Sequence, residues 1–90
     1  MNRVIWSAPA ISDLVKIRAY ITGFNPIADR SMVEKLLAAG EGLAAFPHKG
    51  RSVGDGVREW SLVHPYVIRY EIVGDVVHVL RVRHSKQKYW

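Results

Sequence analysis

The spacing of the apolar residues changes near residue 57, and this change restricts the fold more than any other feature of the chain. Before it, apolar residues such as Leu14, Ile17 and Ile21 recur at intervals of three or four, which is the spacing of an amphipathic helix. From Val57 onward apolar and polar residues alternate, which is typical of strands with one buried face. The sequence therefore predicts helices followed by a sheet, the order of an α+β domain.

A short strand and a first helix are predicted at the start of the chain. Arg3–Trp6 is a β-favouring run. Ser7 is a suitable N-cap and Pro9 suits the first turn, so we expect a helix over about residues 8–24. Charged residues such as Asp13 are expected on faces of this helix other than its apolar stripe.

A second helix is predicted to follow at once. Asn25 is a suitable N-cap, the proline after it suits the first helical position, and the helix is expected to end just before Pro47. So short a connection makes the two helices an antiparallel hairpin. Gly40 and Gly42 lie inside the second helix, where close approach of the first helix would explain them, and simple tolerance is the alternative.

Strands are predicted in the second half of the chain. Residues 47–56 contain three glycines and predict a basic loop. Alternating patterns predict strands over about 57–63, 66–73 and 76–84, and the Gly-Asp pair at 74–75 predicts a tight hairpin turn between the last two.

The hairpin turn also predicts a register for the last two strands. With the Gly-Asp pair in the turn, Tyr70 lies opposite Val79 and Ile68 opposite Arg81, on the face that packs under the helices. The same register places four residues of interest on the other, open face, namely Val67, Arg69, Leu80 and Val82. A face that is half apolar and half basic is typical of a partner-binding surface.

These elements predict one domain over residues 1–90. We expect an α+β fold with an N-terminal strand and an antiparallel two-helix hairpin packed on one face of a mostly antiparallel sheet. Three C-terminal strands complete this sheet, and the sequence leaves the place of the N-terminal strand open. A hydrophobic content of 49% supplies a core, so disorder is not expected.

Positive charge is concentrated at the C-terminus. The chain carries a formal net charge of +5. Arg81, Arg83, Lys86 and Lys88 supply four positive charges within the last ten residues, which include no acid. This distribution favours an anionic partner for the C-terminal end.

Several kinds of chemistry are excluded by what the sequence lacks. Without cysteine there is no disulfide, thiolate nucleophile or Cys-containing zinc site. The four histidines show no metal-ligand spacing, and neither a Ser-His-Asp set nor a phosphate-binding glycine loop is present. We therefore expect no metal and no cofactor. Because no apolar run is long enough for a signal peptide or a membrane span, a cytoplasmic protein with no membrane partner is expected.

The chain resembles a known family in several short motifs that occur in order. These are Trp6-Ser7-x-Pro9, Phe46-Pro47-x-x-Gly50-Arg51, Pro65-Tyr66-Val67-Ile68-x-Tyr70 and Leu80-Arg81-Val82-x-His84. With the order of the elements, they make the chain similar to toxins of the bacterial RelE/ParE toxin–antitoxin superfamily. The resemblance implies a growth inhibitor that a cognate antitoxin neutralises in a hetero-oligomeric complex.

The resemblance leaves two targets to distinguish. RelE-like and YoeB-like members cleave messenger RNA on the ribosome without a metal, whereas ParE-like members poison DNA gyrase. The nucleases carry an arginine where this chain has Val67, and Arg69 would be a shifted substitute. The residues that would carry ribonuclease chemistry are Arg69, Arg81, His84 and Tyr89. Three of them have a structural alternative: His84 as a packed or solvated side chain, Tyr89 as a frayed or docked aromatic, and Arg81 as an arginine bonded to a carboxylate or to the helix C-termini.

The ParE-like target is favoured, because Leu80 to Ser85 followed by a short basic end is closer to that branch. Enzyme activity is therefore left uncertain, with a non-enzymatic inhibitor preferred over a metal-independent endoribonuclease. The residues expected to contact the target are Arg81, Arg83, His84, Lys86 and Lys88. A solubilising tail is the alternative for Arg83, Lys86 and Lys88.

Two further sets of contacts are predicted. Lys49, Arg51 and Arg58 would hold phosphates or otherwise contact the target, or would form a solvated basic loop. The antitoxin is expected to cover the groove of the helical hairpin and part of the open face, with contacts at Val67, Arg69, Leu80 and Val82. A non-toxic basic module that binds nucleic acid is a third alternative for the whole chain.

Overall fold

Two helices lie across one face of a five-stranded sheet in the computed structural model, which describes residues 2–22 and 26–87. The elements in chain order are β1 (Arg3–Trp6), α1 (Ala8–Thr22), α2 (Pro26–Gly42), β2 (Arg51–Gly54), β3 (Val57–Trp60), β4 (Tyr66–Val73) and β5 (Val76–His84). The predicted α+β fold is confirmed. Within the described ranges, neither helix is both long and apolar enough to cross a membrane.

The sheet has the strand order β1-β5-β4-β3-β2. β1 runs parallel to β5, with Arg3 beside Val76 and Trp6 beside Val79, and the remaining pairs are antiparallel. The N-terminal strand therefore lies at one edge of the sheet, a place that the sequence left open.

α1 begins where Ser7 caps it, as predicted. The Ser7 hydroxyl accepts a hydrogen bond from the Ala10 amide (3.1 Å) and donates one to the Leu80 carbonyl (2.8 Å). One side chain thus satisfies a free amide of the first helical turn and a carbonyl of β5. The helix that carries it is described as far as Thr22.

α2 ends at Gly42, four residues earlier than predicted. The following residues form a turn, in which the amides of Leu43 and Ala45 donate to carbonyls three residues back (3.1 and 3.3 Å). These shorter bonds tighten the last turn of the helix and stop it. The predicted N-cap, Asn25, lies outside the described residues.

The close approach expected at Gly40 is made by Trp6 of β1, and not by α1 as the sequence suggested. A Cβ on Gly40 would overlap the Trp6 ring, so only glycine fits there. Nothing lies within 4 Å of a Cβ built on Gly42, which matches the simple tolerance that was the alternative.

The core lies between the helices and one face of the sheet. α1, β4 and β5 each contribute three buried residues to it, α2 contributes two and the turn after α2 contributes one, namely Ala10, Leu14, Ile17, Leu36, Ala39, Leu43, Tyr66, Ile68, Tyr70, Val77, Val79 and Val82. In the described ranges, no helix covers the opposite face of the sheet, so this face stays open.

The predicted register of the hairpin is right near the turn and wrong beyond it. Tyr70 lies opposite Val79 as predicted, but the next pair is Arg69 with Arg81, so Leu80 is an extra residue in β5. Because side chains alternate between faces, one extra residue moves all later side chains of the strand to the other face. Val82 is therefore in the core, opposite Ile68, and is not on the open face.

The bulge lies where β5 loses β1 as its neighbour. β1 ends beside Val79, and beyond this point groups from the start of α1 satisfy the edge of β5. The Leu80 carbonyl accepts from Ser7, and the Val82 amide donates to the Asp13 carboxylate (2.9 Å). Side chains thus replace the missing strand.

The segment predicted as a loop before residue 57 contains an edge strand. β2 pairs with β3 through a turn in which Gly54, Asp55 and Gly56 all have positive φ (101°, 53° and 75°). Glycine adopts this backbone without a steric penalty. β3 ends at Trp60, three residues before the predicted end.

Candidate functional site

The open face of the sheet carries a cluster of two arginines around one buried glutamate. Glu59 of β3 is 8% exposed and accepts hydrogen bonds from Arg69 Nη2 (2.9 Å) and Nε (3.3 Å) on the neighbouring strand. Arg51 of β2 donates to the other carboxylate oxygen (3.2 Å). Arg69 is therefore held toward β3 by a charged partner.

Arg81 is held by α1, at the edge of β5 that β1 leaves unpaired. Its Nε and Nη2 donate to the two oxygens of Asp13 (2.8 and 3.1 Å), and this hydrogen bond raises the pKa of the guanidinium. The same carboxylate accepts from the amide of Val82 (2.9 Å). The bond to Asp13 is the geometry of the structural alternative for Arg81, although Arg81 lies opposite Arg69 and not opposite Ile68 as predicted.

Arg83 organises the end of the described chain. Its Nη1 donates to the carbonyls of His84 (3.2 Å), Ser85 (3.2 Å) and Gln87 (2.7 Å). The Gln87 side chain accepts from the His84 amide (3.0 Å), and His84 Nδ1 accepts from the Lys86 amide (3.1 Å). Residues 84–87 thus form a fixed C-terminal turn, on which the Lys86 side chain is exposed.

His84 stands against the core on the helix side of the sheet. Its ring meets the Tyr66 ring edge to face, with the two centroids 5.5 Å apart and the planes at 81°. Burial raises the pKa of Tyr66, and the neighbouring Tyr20 raises it further by a smaller amount. The His84 ring is therefore packed against a core residue, as in the packed alternative for this side chain.

The structure does not bring the candidate ribonuclease residues together. Arg69 extends from β4 toward β3, Arg81 extends from β5 in the opposite direction toward α1, and His84 packs on a core tyrosine. Tyr89 lies outside the described residues. Metal-free cleavage needs a base, an acid and a free cation around one phosphate. The three candidate residues that the structure describes do not form such an arrangement.

The three basic residues proposed as phosphate contacts are also apart. Arg58 donates to the Gly50 carbonyl (2.7 Å), Arg51 bonds the strand glutamate, and Lys49 lies 5.7 Å from the centre of the Phe46 ring. Each is tied to its own neighbour, although Arg51 and Lys49 stay exposed.

Metal chemistry has no visible site in the described ranges. There, no three His, Asp or Glu side chains are grouped as the ligands of an ion would be.

Comparison with known proteins decides the family. Residues 4–89 match the model of the ParE toxin of the type II toxin–antitoxin system parDE. The chain belongs to the ParE toxin family. It is a toxin of the type II toxin–antitoxin class, as its resemblance to the RelE/ParE superfamily implied.

Relatives of this ParE-family chain span almost its whole length. Toxin RelE2 of Caulobacter vibrioides is 41% identical over 85 residues, which are 94% of this chain and 97% of the relative. The putative toxin Y4kP of Sinorhizobium fredii is 35% identical, over 98% of this chain and 93% of its own. A chain in a solved structure of the chromosomal ParDE system from P. aeruginosa superposes with a TM-score of 0.82 at 24% identity, covering 93% of this chain and 96% of that one, which shows the shared fold.

The surface predicted to bind the antitoxin has a different composition from the expected one. Val82 is 3% exposed in the core, and Val67 is 8% exposed although the register places it on the open face, opposite Arg83. Leu80 occupies the bulge and is half-buried. The apolar patch expected on the open face is therefore wrong, because the bulge redirects β5.

The structural roles of two buried residues near the site were missed from the sequence. Asp13 was expected on a polar face of α1, yet it is 8% exposed and bonded to β5. Tyr70 is fully buried, and its hydroxyl donates to the Pro47 carbonyl (2.6 Å) and accepts from the Gly50 amide (2.9 Å). A single acid within an amphipathic helix and a tyrosine within an alternating strand carry no local signal of such roles.

Proposed function

We propose that this ParE-family toxin inhibits growth by binding DNA gyrase in the cytoplasm through its basic C-terminal end. A cognate antitoxin holds it inactive in a hetero-oligomeric complex. The observation that supports a binding mechanism over RNA cleavage is the separate anchoring of Arg69, Arg81 and His84.

The anchoring weighs against nuclease chemistry because each arginine already has a carboxylate partner. To stabilise the charge of a pentacovalent phosphate, Arg69 would have to leave Glu59 and Arg81 would have to leave Asp13. Both carboxylates belong to residues that are 8% exposed, so each would lose its partner in a largely dry place. A preorganised site would not require this exchange.

The C-terminal turn supports a docking role. It is fixed by hydrogen bonds to Arg83, and it carries Lys86 on its exposed side. Lys88, the next base, lies outside the described residues. We therefore assign target contact to Lys86, Lys88 and His84, and a supporting role within the toxin to Arg83 and Arg81.

Two assays on the purified toxin test this proposal. We expect inhibition of DNA supercoiling by gyrase, and no cleavage of messenger RNA bound to ribosomes. Cleavage with gyrase unaffected would establish the nuclease alternative instead. Binding to nucleic acid of any sequence, with neither effect and with a steep loss of affinity in salt, would establish the non-toxic module.

A pair of charge reversals locates the contact. Lys86→Glu is expected to raise the concentration needed for half-inhibition of gyrase about tenfold, through loss of an attraction and gain of a repulsion. Lys35→Glu makes the same change on an exposed position of α2 and is expected to leave inhibition within about twofold. Equal effects of the two variants would contradict a C-terminal contact.

The antitoxin is tested by growth. Expression of the toxin alone is expected to stop growth, and co-expression of the antitoxin gene is expected to restore it. Normal growth under strong induction of the toxin alone would contradict the toxin proposal.

A further inference from the structure

The C-terminal turn is closed in part by a side chain that can change its charge. His84 Nδ1 accepts a hydrogen bond from the Lys86 amide (3.1 Å), two residues further along the chain. Asparagine and aspartate side chains accept the same bond in the turns that they initiate. Imidazole can accept it only when neutral, because both ring nitrogens carry a proton in the cation. The turn in this structure therefore requires a neutral His84.

The surroundings of the His84 ring give no partner to its cationic form. The charged and titratable groups around the ring are Lys16 and Tyr20 of α1, Tyr66 of β4, Arg83 of β5 and Lys86 of the turn. Among the described residues that line this part of the surface, none is an acid. A proton on His84 thus adds a positive charge beside two lysines and an arginine, with no carboxylate among these neighbours to offset the repulsion.

The turn depends on a small number of exposed hydrogen bonds. Residues 85–87 are exposed, so water can replace each of their bonds at little cost. Loss of the bond to Nδ1, together with the added repulsion, therefore shifts the turn toward open conformations. The Ser85 amide stays bonded to the Pro65 carbonyl (2.8 Å), a bond that does not involve the imidazole. The opening is thus confined to the turn, and β5 keeps its place in the sheet.

We infer that the C-terminal turn is a pH-sensitive switch, which is closed while His84 is neutral and opens when His84 Nδ1 takes up a proton. Histidine is the side chain that ordinarily changes charge between about pH 5 and 8. The closed turn is therefore present at the upper end of this range and is lost as the pH falls. Its consequence for the target rests on the proposed function. Because that function assigns gyrase contact to this turn, acid pH is expected to weaken the inhibition of gyrase.

The test compares the wild-type toxin with His84→Asn and His48→Asn. The Oδ1 atom of asparagine takes the position of Nδ1 along the side chain and gains no proton in this pH range, so His84→Asn keeps an acceptor for the Lys86 amide. His48 is an exposed histidine between α2 and β2, and its replacement is the matched control.

The first measurement needs the purified toxin alone. Hydrogen exchange followed by NMR gives the protection factor of the Lys86 amide, which corrects for the intrinsic dependence of exchange on pH. Between about pH 8 and about pH 5.5, this factor is expected to fall at least about threefold in the wild-type toxin and in His48→Asn. In His84→Asn it is expected to change by less than about twofold.

The second measurement is gyrase inhibition at the same two pH values. The half-inhibitory concentration of the wild-type toxin is divided by that of His84→Asn, so that the response of gyrase itself to pH cancels. This ratio is expected to rise at least about threefold at the acid pH, whereas the ratio of wild type to His48→Asn stays constant within about twofold.

Several results would overturn the inference. Protection of the Lys86 amide that is the same at both pH values in the wild-type toxin would show that the turn does not respond to His84. An equal loss of protection in all three proteins would show a general effect of acid. Stronger inhibition of gyrase at acid pH would show that His84 acts as a cation in contact with the target. If the wild-type toxin leaves gyrase unaffected at both pH values, the proposed function fails, while the protection factors still test the switch.

Discussion

Removal of the Asp13 carboxylate is expected to be among the most damaging single changes to this toxin. Asp13 joins α1 to β5 by three hydrogen bonds, two from Arg81 and one from the Val82 amide. It does this at the place where β5 has lost β1 as its neighbour. The variant Asp13→Ala removes all three hydrogen bonds, and alanine keeps the helical conformation of the backbone favourable.

The size of the effect follows from the exposure of each donor. The Val82 amide belongs to a residue that is 3% exposed, so leaving it without an acceptor costs about 1–3 kcal/mol. The Arg81 side chain is 37% exposed and can regain water, so its ion pair is discounted to about 1 kcal/mol or less. Asp13→Ala should therefore lower the free energy of unfolding by about 2–3 kcal/mol, or the melting temperature by roughly 10 °C or more.

Urea unfolding measured by circular dichroism tests this value, with Ser12→Ala as the control. Ser12 is the exposed residue before Asp13 on the same helix, and its change is expected to stay within about 0.5 kcal/mol. A double-mutant cycle with Arg81→Gln should give a coupling of about 1 kcal/mol or less. An Asp13→Ala variant as stable as Ser12→Ala would refute the role of this carboxylate as the link between α1 and β5.

Four other substitutions are expected to have distinct effects. Gly40→Ala should lower the free energy of unfolding by about 1–3 kcal/mol because its Cβ meets the Trp6 ring, while Gly42→Ala should leave it unchanged or raise it by up to about 1 kcal/mol; equal urea midpoints would contradict the packing. Burial raises the pKa of Tyr70 above its ordinary 10.0, so the hydroxyl ionises first in the unfolded chain, and stability should fall as the pH rises above about 10. Tyr70→Phe should flatten this fall in alkaline unfolding curves and cost about 1–3 kcal/mol at pH 7; an equally steep fall in the variant would count against it. Arg83→Gln should leave the melting temperature within about 5 °C but weaken gyrase inhibition severalfold, because the C-terminal turn loses its three carbonyl contacts; full inhibition would show that the turn needs no support.

Features that depend on neighbouring residues were predictable from the sequence. The alternation over residues 66–73 and 76–84 gives β4 and β5 with the bounds that the structure has. The cap at Ser7 follows from its place between a β-favouring run and a proline. Such signals act between residues that are close in the sequence, so they do not depend on contacts with distant parts of the chain.

Features that depend on distant residues were not predictable. The bulge at Leu80 exists where Ser7 and Asp13 replace β1 along β5, and these partners are 73 and 69 positions away from the groups that they bind. Because of this one extra residue, Val82 lies in the core, whereas the predicted register placed it on the open face. The edge strand β2 was not predicted because its residues are exposed and rich in turn formers.

The candidate site shows the same division. Its basic residues were visible in the sequence, but their acidic partners were not. Asp13 and Glu59 have no local feature that separates a buried carboxylate from a solvated one, and they determine where Arg81 and Arg69 point.

Hydrogen exchange of the toxin, alone and with saturating gyrase, tests the central claim most directly. The proposal predicts slower exchange of the amides of residues 84–87 when gyrase is present, with the amides of α2 unchanged. Exchange that is the same with and without gyrase, or protection confined to the open face of β3 and β4, would contradict the proposal that the toxin binds gyrase through its C-terminal turn.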